Sequence, residues 1–340
     1  MVGAASPGMK VAIVGAGVSG SYLLSRLEGH DVKAFELFKR EEYDPVCAWG
    51  TSRYAMKEFS KRVGLNFEDY ILHVGEELVM DLRRIGKGEL RLKLSGLCTF
   101  DKRRYQLDLL KGRDVEFGKR FDEGEYDLVI DATGVSRAML PKAEDLLVPC
   151  YQYLVKFREP PFDDFRLTIL ETMTGYLWYF PLGGNLFHVG GGDVFGRHKA
   201  ALDEFVKKHG GEVLKASGKA VRITPPELAQ PFYSNGVVGV GEAIGTVHPI
   251  FGEGIIPSLQ SSELLVEHLF DLEGYRKAVI KKFAPFKSPF KVVKAFVEGN
   301  FSFPKMLKDL VRMFVDVKLN EKRYGVRVGL EDMLLPFKRP

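Results

Sequence analysis

Cysteine is scarce: Cys47, Cys98 and Cys150 are the only three in 340 residues. An odd number at wide spacing makes neither a disulfide framework nor a metal-ligand pattern. No metal is expected, and a reducing, cytoplasmic setting is. Long hydrophobic runs are also missing. No apolar stretch approaches the ~20 residues that cross a bilayer. Residues Met1 to Gly8 (MVGAASPG) lack the apolar core of a signal peptide and read as a disordered leader. Charge is not gathered in blocks. The net +4 comes from 49 Lys and Arg interspersed with 45 Asp and Glu, so nucleic acid is not an expected partner. What remains, 45% hydrophobic and 28% charged, is a globular chain with room for two or three domains.

Against these absences stands the stretch from Lys10 to Arg40, KVAIVGAGVSGSYLLSRLEGHDVKAFELFKR. Val11 to Val14 read as a buried strand. Gly15, Gly17 and Gly20 follow at G-x-G-x-x-G spacing and open an amphipathic helix with Tyr22, Leu23, Leu24 and Leu27 as its apolar members. Val32 to Leu37 read as a second strand carrying Glu36. This is a dinucleotide fingerprint in its full context. Gly15 permits a tight turn, Gly17 lets backbone N–H groups approach a pyrophosphate at a helix N-terminus, and Gly20 lets helix and strand pack closely. Glu36 suits an adenosine ribose.

Further along, Ser52 to Leu65 read as a helix, and the short apolar runs between Tyr70 and Phe100 as strands. Asp101 to Leu110 read as a helix whose early Arg103 and Arg104 oppose its dipole, which suits either an anionic partner or a solvated surface. Tyr126 to Gly134 is a buried strand ending in Asp131-Ala132-Thr133-Gly134, and Pro141 to Pro149 a linker. From Cys150 to Gly192, four strands succeed one another. In GYLWYFP, alternation puts Tyr176, Trp178 and Phe180 on one face and Leu177 and Tyr179 on the other. Three aromatics in line suit core packing and the wall of an apolar pocket about equally. Leu202 to Gly210 is a helix. Gly236 to Gly254 pass from a buried strand through Gly241-Glu242 into a glycine-bearing loop, ahead of a helix from about Ile255 to Phe270. The remainder is helical and basic. Its helices pack on the body with lysines in solvent, or else lie on an anionic membrane face. A second G-x-G-x-x-G unit is missing, because Gly190-Gly191-Gly192 precede no matching βαβ pattern.

Three nucleotide-site segments in one order resemble the flavoprotein group that includes p-hydroxybenzoate hydroxylase. Within it, the chain is similar to the geranylgeranyl reductase family. That family's Y-x-W-x-F-P motif is matched by Tyr176, Trp178, Phe180 and Pro181, and its late flavin loop by Gly245, Pro249, Gly252, Gly254 and Ile255. The chain departs from the family at Gly241-Glu242 (usually Gly-Asp), at Cys47-Ala48 (usually Cys-Gly) and at Lys102, where the first basic residue before the connecting helix stands.

The resemblance implies an α/β fold with a Rossmann-like FAD-binding domain over residues 9–69, 98–149 and 231–272. An antiparallel-sheet substrate domain (α+β) would take 70–97 and 150–230, and a helical C-terminal region 273–340. It implies non-covalent FAD held by Gly15, Gly17, Val18, Ser19, Gly20, Glu36, Leu37, Cys47, Ala48, Arg104, Ala132, Thr133, Gly134, Gly241, Glu242, Gly252, Glu253, Gly254 and Ile255. Catalysis would involve Cys47, Tyr176 and Trp178. A prenyl lipid or prenyl diphosphate would lie against Tyr176, Trp178, Phe180 and Pro181, its double bond saturated by hydride from reduced flavin. The proton donor stays open among water, Cys47, His248 and Tyr176, and the electron donor among NAD(P)H, ferredoxin and other carriers. Two other readings stand beside this one: a flavin monooxygenase acting on an apolar or aromatic substrate, and a non-catalytic flavin-binding redox protein.

Overall fold

The computed structural model describes residues 8–122 and 124–337. The leader expected over Met1 to Gly8 lies outside these residues except for Gly8. The first unit is a six-stranded sheet in the order β15 (Tyr233–Ser234), β16 (Val237–Gly239), β9 (Leu128–Asp131), β1 (Lys10–Val14), β2 (Asp31–Glu36), β8 (Val115–Phe117). It is parallel throughout except for the β15–β16 hairpin. Val11 to Val14 are all buried, as a central strand covered on both faces requires. Helix α1 (Val18–Arg26) returns the chain from β1 to β2. It approaches β1 closely because Gly20 has no side chain; a Cβ there would collide with the Gly15 carbonyl. One face of this sheet shares a core with α5 (Ile255–Glu267) and α6 (Leu272–Phe283), through Leu265, Tyr275, Val279 and Phe283. The second strand ends at Glu36 rather than at Leu37, which is 59% exposed.

The second unit is a seven-stranded sheet: β14 (Glu212–Arg222), β10 (Leu147–Lys156), β13 (Leu186–Asp193), β12 (Gly175–Pro181), β11 (Phe165–Ile169), β5 (Glu77–Asp81), β6 (Glu89–Lys93). It is antiparallel apart from β11 against β5. One face of its β10–β13–β12 half packs on α4 (His198–His209) through Val155, Leu177, Tyr179 and Phe187. The opposite face carries Tyr176, Trp178 and Phe180 and continues over β11, β5 and β6. There α7 (Lys287–Val297) and α8 (Phe303–Leu319) cover it, burying Leu78, Leu90, Leu92 and Phe165 against Val292, Leu310, Met313 and Val317. The short helices α9 (Glu321–Tyr324) and α10 (Leu330–Leu334) end the described chain.

A third, three-stranded sheet is built in the order β3 (Gly50–Ser52), β7 (Leu97–Phe100), β4 (Ile71–Val74). The strand at 71–74 therefore pairs with β7 and not with the substrate sheet. Helices α2 (Arg53–Arg62) and α3 (Lys102–Leu110) flank it and bury Met56, Tyr105 and Leu109 with Tyr22 of α1. The linker over 141–149 is shorter than the prolines suggest, since β10 starts at Leu147.

Candidate cofactor and substrate site

The nucleotide end is built by the turn after β1. Gly15 takes φ +95°, a left-handed conformation that glycine adopts freely, and donates its N–H to the Phe35 carbonyl at 2.8 Å. Gly17 caps α1 without a side chain, and no atom lies within 4 Å of where its Cβ would be. The space beside it and the first N–H groups of α1 are thus open to a ligand. The Glu36 carboxylate is buried and accepts the N–H groups of Ala16 (2.9 Å) and Phe38 (3.0 Å). The Tyr43 hydroxyl donates to the Ala16 carbonyl at 2.6 Å and lies 3.1 Å from Gln106 Oε1.

Two groups on α3 are left without partners, one helical turn apart. Lys102 is only 7% exposed and has no hydrogen-bond or ion-pair partner among the described residues. Gln106 Nε2 is buried and unpaired. Gln106 reaches the turn before α1 through the Tyr43 hydroxyl and the Ala16 carbonyl, and a buried unsatisfied amide with a buried cation one turn before it fits an anionic ligand. Arg104, by contrast, is turned away from this space. It is exposed, donates to the Asp69 carbonyl at 3.2 Å and lies over the Tyr70 ring. Lys102 precedes Arg104 by a little over half a helical turn and so faces the opposite side of α3. Leu37 lies solvent-exposed just beyond the strand end.

Asp131 shapes the end of β9. Fully buried, its carboxylate accepts the Thr133 N–H (3.0 Å) and hydroxyl (2.6 Å), and the N–H groups of Met139 (2.9 Å) and Leu140 (3.1 Å). This bends Ala132, Thr133 and Gly134 past the end of β1. Glu242 accepts the Arg222 N–H at 3.0 Å. Gly241 takes φ +66° and donates to Ser261 Oγ at 3.0 Å; its Cβ would crowd the Ser19 hydroxyl, which brings the two glycine-bearing segments together. Two buried arginines rivet this region. Arg137 donates to the carbonyls of Pro141, Ala229, Pro231 and Ala243, and Arg222 pairs with Asp145 at 2.8 Å. Neither shows a periodic or motif signal in the sequence.

The loop before α5 is tied down from within. His248 Nδ1 accepts the N–H groups of Ile250 (3.3 Å) and Phe251 (3.2 Å), and the Phe251 ring stacks on it at 4.4 Å. Burial holds this imidazole well below its usual range, so it stays neutral with its lone pair engaged. It is a loop-building residue rather than a proton donor. Glu253 accepts the Ile256 N–H at 2.9 Å with one oxygen and Arg323 at 3.1 Å with the other. Its carboxyl points into protein, and burial raises its pKa against the opposing pull of Arg323. Gly252 (φ +62°) and Gly254, which precedes α5 without a side chain of its own, leave backbone exposed beside it.

The aromatic face of β12 meets this loop. The Tyr176 hydroxyl donates to the Phe251 carbonyl at 2.6 Å. Trp178 Nε1 donates to Gln152 Oε1 at 3.2 Å, and Gln152 Nε2 donates to the Cys47 carbonyl at 3.1 Å. Gly190 and Gly192, opposite Trp178 and Tyr176 on β13, keep the face bare; a Cβ at either would press on Trp178 or on Cys150. Phe180 packs edge-on against Phe165 at 4.9 Å. Pro181 falls on the other, buried face with Leu177 and Tyr179, where its carbonyl receives the Thr99 hydroxyl at 2.5 Å. It is a packing residue, not part of the aromatic wall. The Cys47 thiol is half-buried and accepts the Trp49 N–H at 3.4 Å.

Charge is held low on this wall. Burial pushes the Cys150 thiol up to about 12 and the Tyr176 hydroxyl up as well, so both keep their protons at neutral pH. His188, opposite Phe180, is pushed down to about 4 by burial and is neutral. From Phe180 and Phe251 an apolar cluster of half-buried side chains, including Ile250, Leu167, Ile169, Phe296 and Phe314, runs out beneath α7 and α8.

The family model described as tryptophan halogenase matches residues 113–305. An uncharacterized protein of Methanocaldococcus jannaschii is 26% identical over 88% of this chain and 95% of its own length. A geranylgeranyl bacteriochlorophyll reductase-like protein from Thermoplasma acidophilum superposes with a TM-score of 0.68 at 18% identity, over 92% of this chain and 98% of its own. A probable FAD-dependent monooxygenase from Pseudomonas aeruginosa superposes at 0.58 with 17% identity, over 90% and 98%. These likenesses establish the two-domain α/β fold of FAD-binding oxidoreductases.

Proposed function

The chain belongs to the tryptophan halogenase family, and on that footing we propose that it binds FAD non-covalently and saturates carbon–carbon double bonds of a prenyl chain. The observation that carries this reading is the neutral aromatic wall of Tyr176, Trp178 and Phe180, continuous with the half-buried apolar cluster under α7 and α8. A substrate recognised there has little polar character. Its binding comes from apolar area, at about 25 cal/mol per Å² buried.

FAD, when bound and reduced, supplies hydride at carbon; the protein's part is position and a dry site. Gly17, the N–H groups of α1, Lys102 and Gln106 suit the pyrophosphate, and Glu36 the adenosine ribose. Glu242 and the backbone of Gly252, Gly254 and Ile255 suit the other end. Tyr176 ties the 248–254 loop to the sheet through Phe251, and Gln152 joins Trp178 to the Cys47 loop, so both loops are hydrogen-bonded to the same sheet face. The Tyr176 hydroxyl keeps its proton and points it at the Phe251 carbonyl.

The purified protein should be yellow with about one FAD per chain. A colourless chain that FAD cannot reconstitute overturns the reading. The second reading is oxygen chemistry at the same flavin, favoured by the halogenase family match and the monooxygenase-like fold. It requires oxygen consumption coupled to NAD(P)H and substrate, which an oxygen electrode detects.

A further inference from the structure

The 17-residue helix α8 is apolar on two sides. One side is consumed by the core: Leu310, Met313 and Val317 are buried under the seven-stranded sheet. The other is not. Leu307, Val311, Val315 and Leu319 succeed one another every fourth residue and are 41%, 39%, 46% and 79% exposed. Residues four apart share a helix face, so these four make one stripe that no part of the described chain covers.

The charges around the stripe have one sign. Lys305 and Lys308 are exposed and have no carboxylate partner among the described residues. Arg312 and Lys318 are exposed too, the first 3.9 Å from Asp309 and the second 2.7 Å from Glu321. The two acidic residues of α8 face inward. Asp309 accepts the Ser288 hydroxyl at 2.8 Å, and Asp316 accepts the Tyr324 hydroxyl at 2.7 Å.

We propose that this face of α8 docks on an anionic lipid surface, with the aliphatic stripe in the headgroup–acyl boundary and the four cations against lipid phosphates. The geometry is that of a helix lying in the interface plane: aliphatics along the middle, cations beside them, no exposed carboxylate. A second copy of the chain fits poorly, since a two-fold interface sets each cation against the same cationic face. No helix among the described residues is long or apolar enough to cross the membrane, so the contact is peripheral. Docked this way, the inner side of α8 joins the bilayer to the apolar cluster that reaches Phe180 and Phe251. The inference stands on the surface alone and does not need the proposed reaction.

The test is flotation of the full-length protein with vesicles of phosphatidylcholine alone and of phosphatidylcholine with 30% phosphatidylglycerol. Anionic vesicles should carry at least tenfold more protein than neutral ones, and 0.5 M salt should remove most of the difference. Val311→Asp with Val315→Asp, in a protein whose circular dichroism and melting are unchanged, should fall to the neutral-vesicle level. Lys305→Glu with Lys308→Glu should do the same. Equal flotation on both vesicle types, or none on either, overturns the proposal. So does a concentration-dependent dimer in sedimentation that the Val311→Asp, Val315→Asp protein lacks, because that assigns the stripe to a second copy. Flavin content and turnover report on the reaction separately.

Discussion

Arg323 lies 3.1 Å from Glu253, joining the short helix α9 to the loop beside the aromatic wall, 70 positions away in sequence. Both side chains are largely withdrawn from water, at 16% and 17% exposed. Around them Tyr324 packs edge-on against His248 and Phe251, and Ser52 donates to the Lys322 carbonyl at 2.5 Å. The C-terminal helices therefore brace the loop.

Removing one partner of this pair leaves a buried charge uncompensated. Arg323→Met should destabilise the protein by about 3–5 kcal/mol in urea unfolding. Arg323→Met with Glu253→Gln should recover part of that loss, because the second change removes the stranded carboxylate. A double variant less stable than the single contradicts the pairing.

The three glycines after β1 separate by role. Gly17→Ala adds a methyl where no atom lies within 4 Å. It should melt within a few degrees of the parent, the change being about 1 kcal/mol or less at a helix cap, yet lose bound flavin. Gly20→Ala drives a methyl into the Gly15 carbonyl and should cost about 1–3 kcal/mol of stability through overpacking. Thermal melts paired with flavin absorbance distinguish the two.

Lys102 and Arg104 make a second paired test. Lys102→Met should weaken FAD binding tenfold or more in reconstitution titrations, since the buried ammonium has no other partner. Arg104→Ala, at an exposed contact with a carbonyl, should leave the affinity within a factor of about two. The reverse ranking would return Arg104 to the site.

Stability should fall as the solution is acidified. His188 titrates near 6.5 in an unfolded chain and is held down to about 4 in the fold by burial. The unfolded state then binds more protons across that interval. The stability present above pH 6.5 is lost as pH drops toward 4, by about 3 kcal/mol from this group, and buried His248 adds loss of the same sign. His188→Asn should flatten the slope of unfolding free energy against pH between 6 and 4.5. An unchanged slope would mean that His188 is protonated in the folded protein.

The β1–α1–β2 unit was legible because glycine spacing, strand and helix constrain one another over thirty residues. So was the alternation of GYLWYFP, since a sheet with a core on one face imposes period two. The strand at 212–222 was not foreseen: it is an edge strand, exposed over most of its length, and its polar sequence has no buried face to set a pattern. Lys102 and Arg104 are equivalent in composition, and only helix phase separates them. Arg323, Arg137 and Arg222 act through carbonyls and carboxylates far away in the chain, which leave no local trace. α8 read as a helix with apolar and basic residues, but which apolar residues the core would take required the packing of α7 and the sheet.

The most direct measurement is the mass of the product from an anaerobic single turnover of the reduced protein with a geranylgeranyl lipid. The account predicts flavin reoxidation with a gain of about 2 Da for each bond saturated. Flavin that stays reduced until oxygen enters, with oxygen or a halogen appearing in the product, would contradict it.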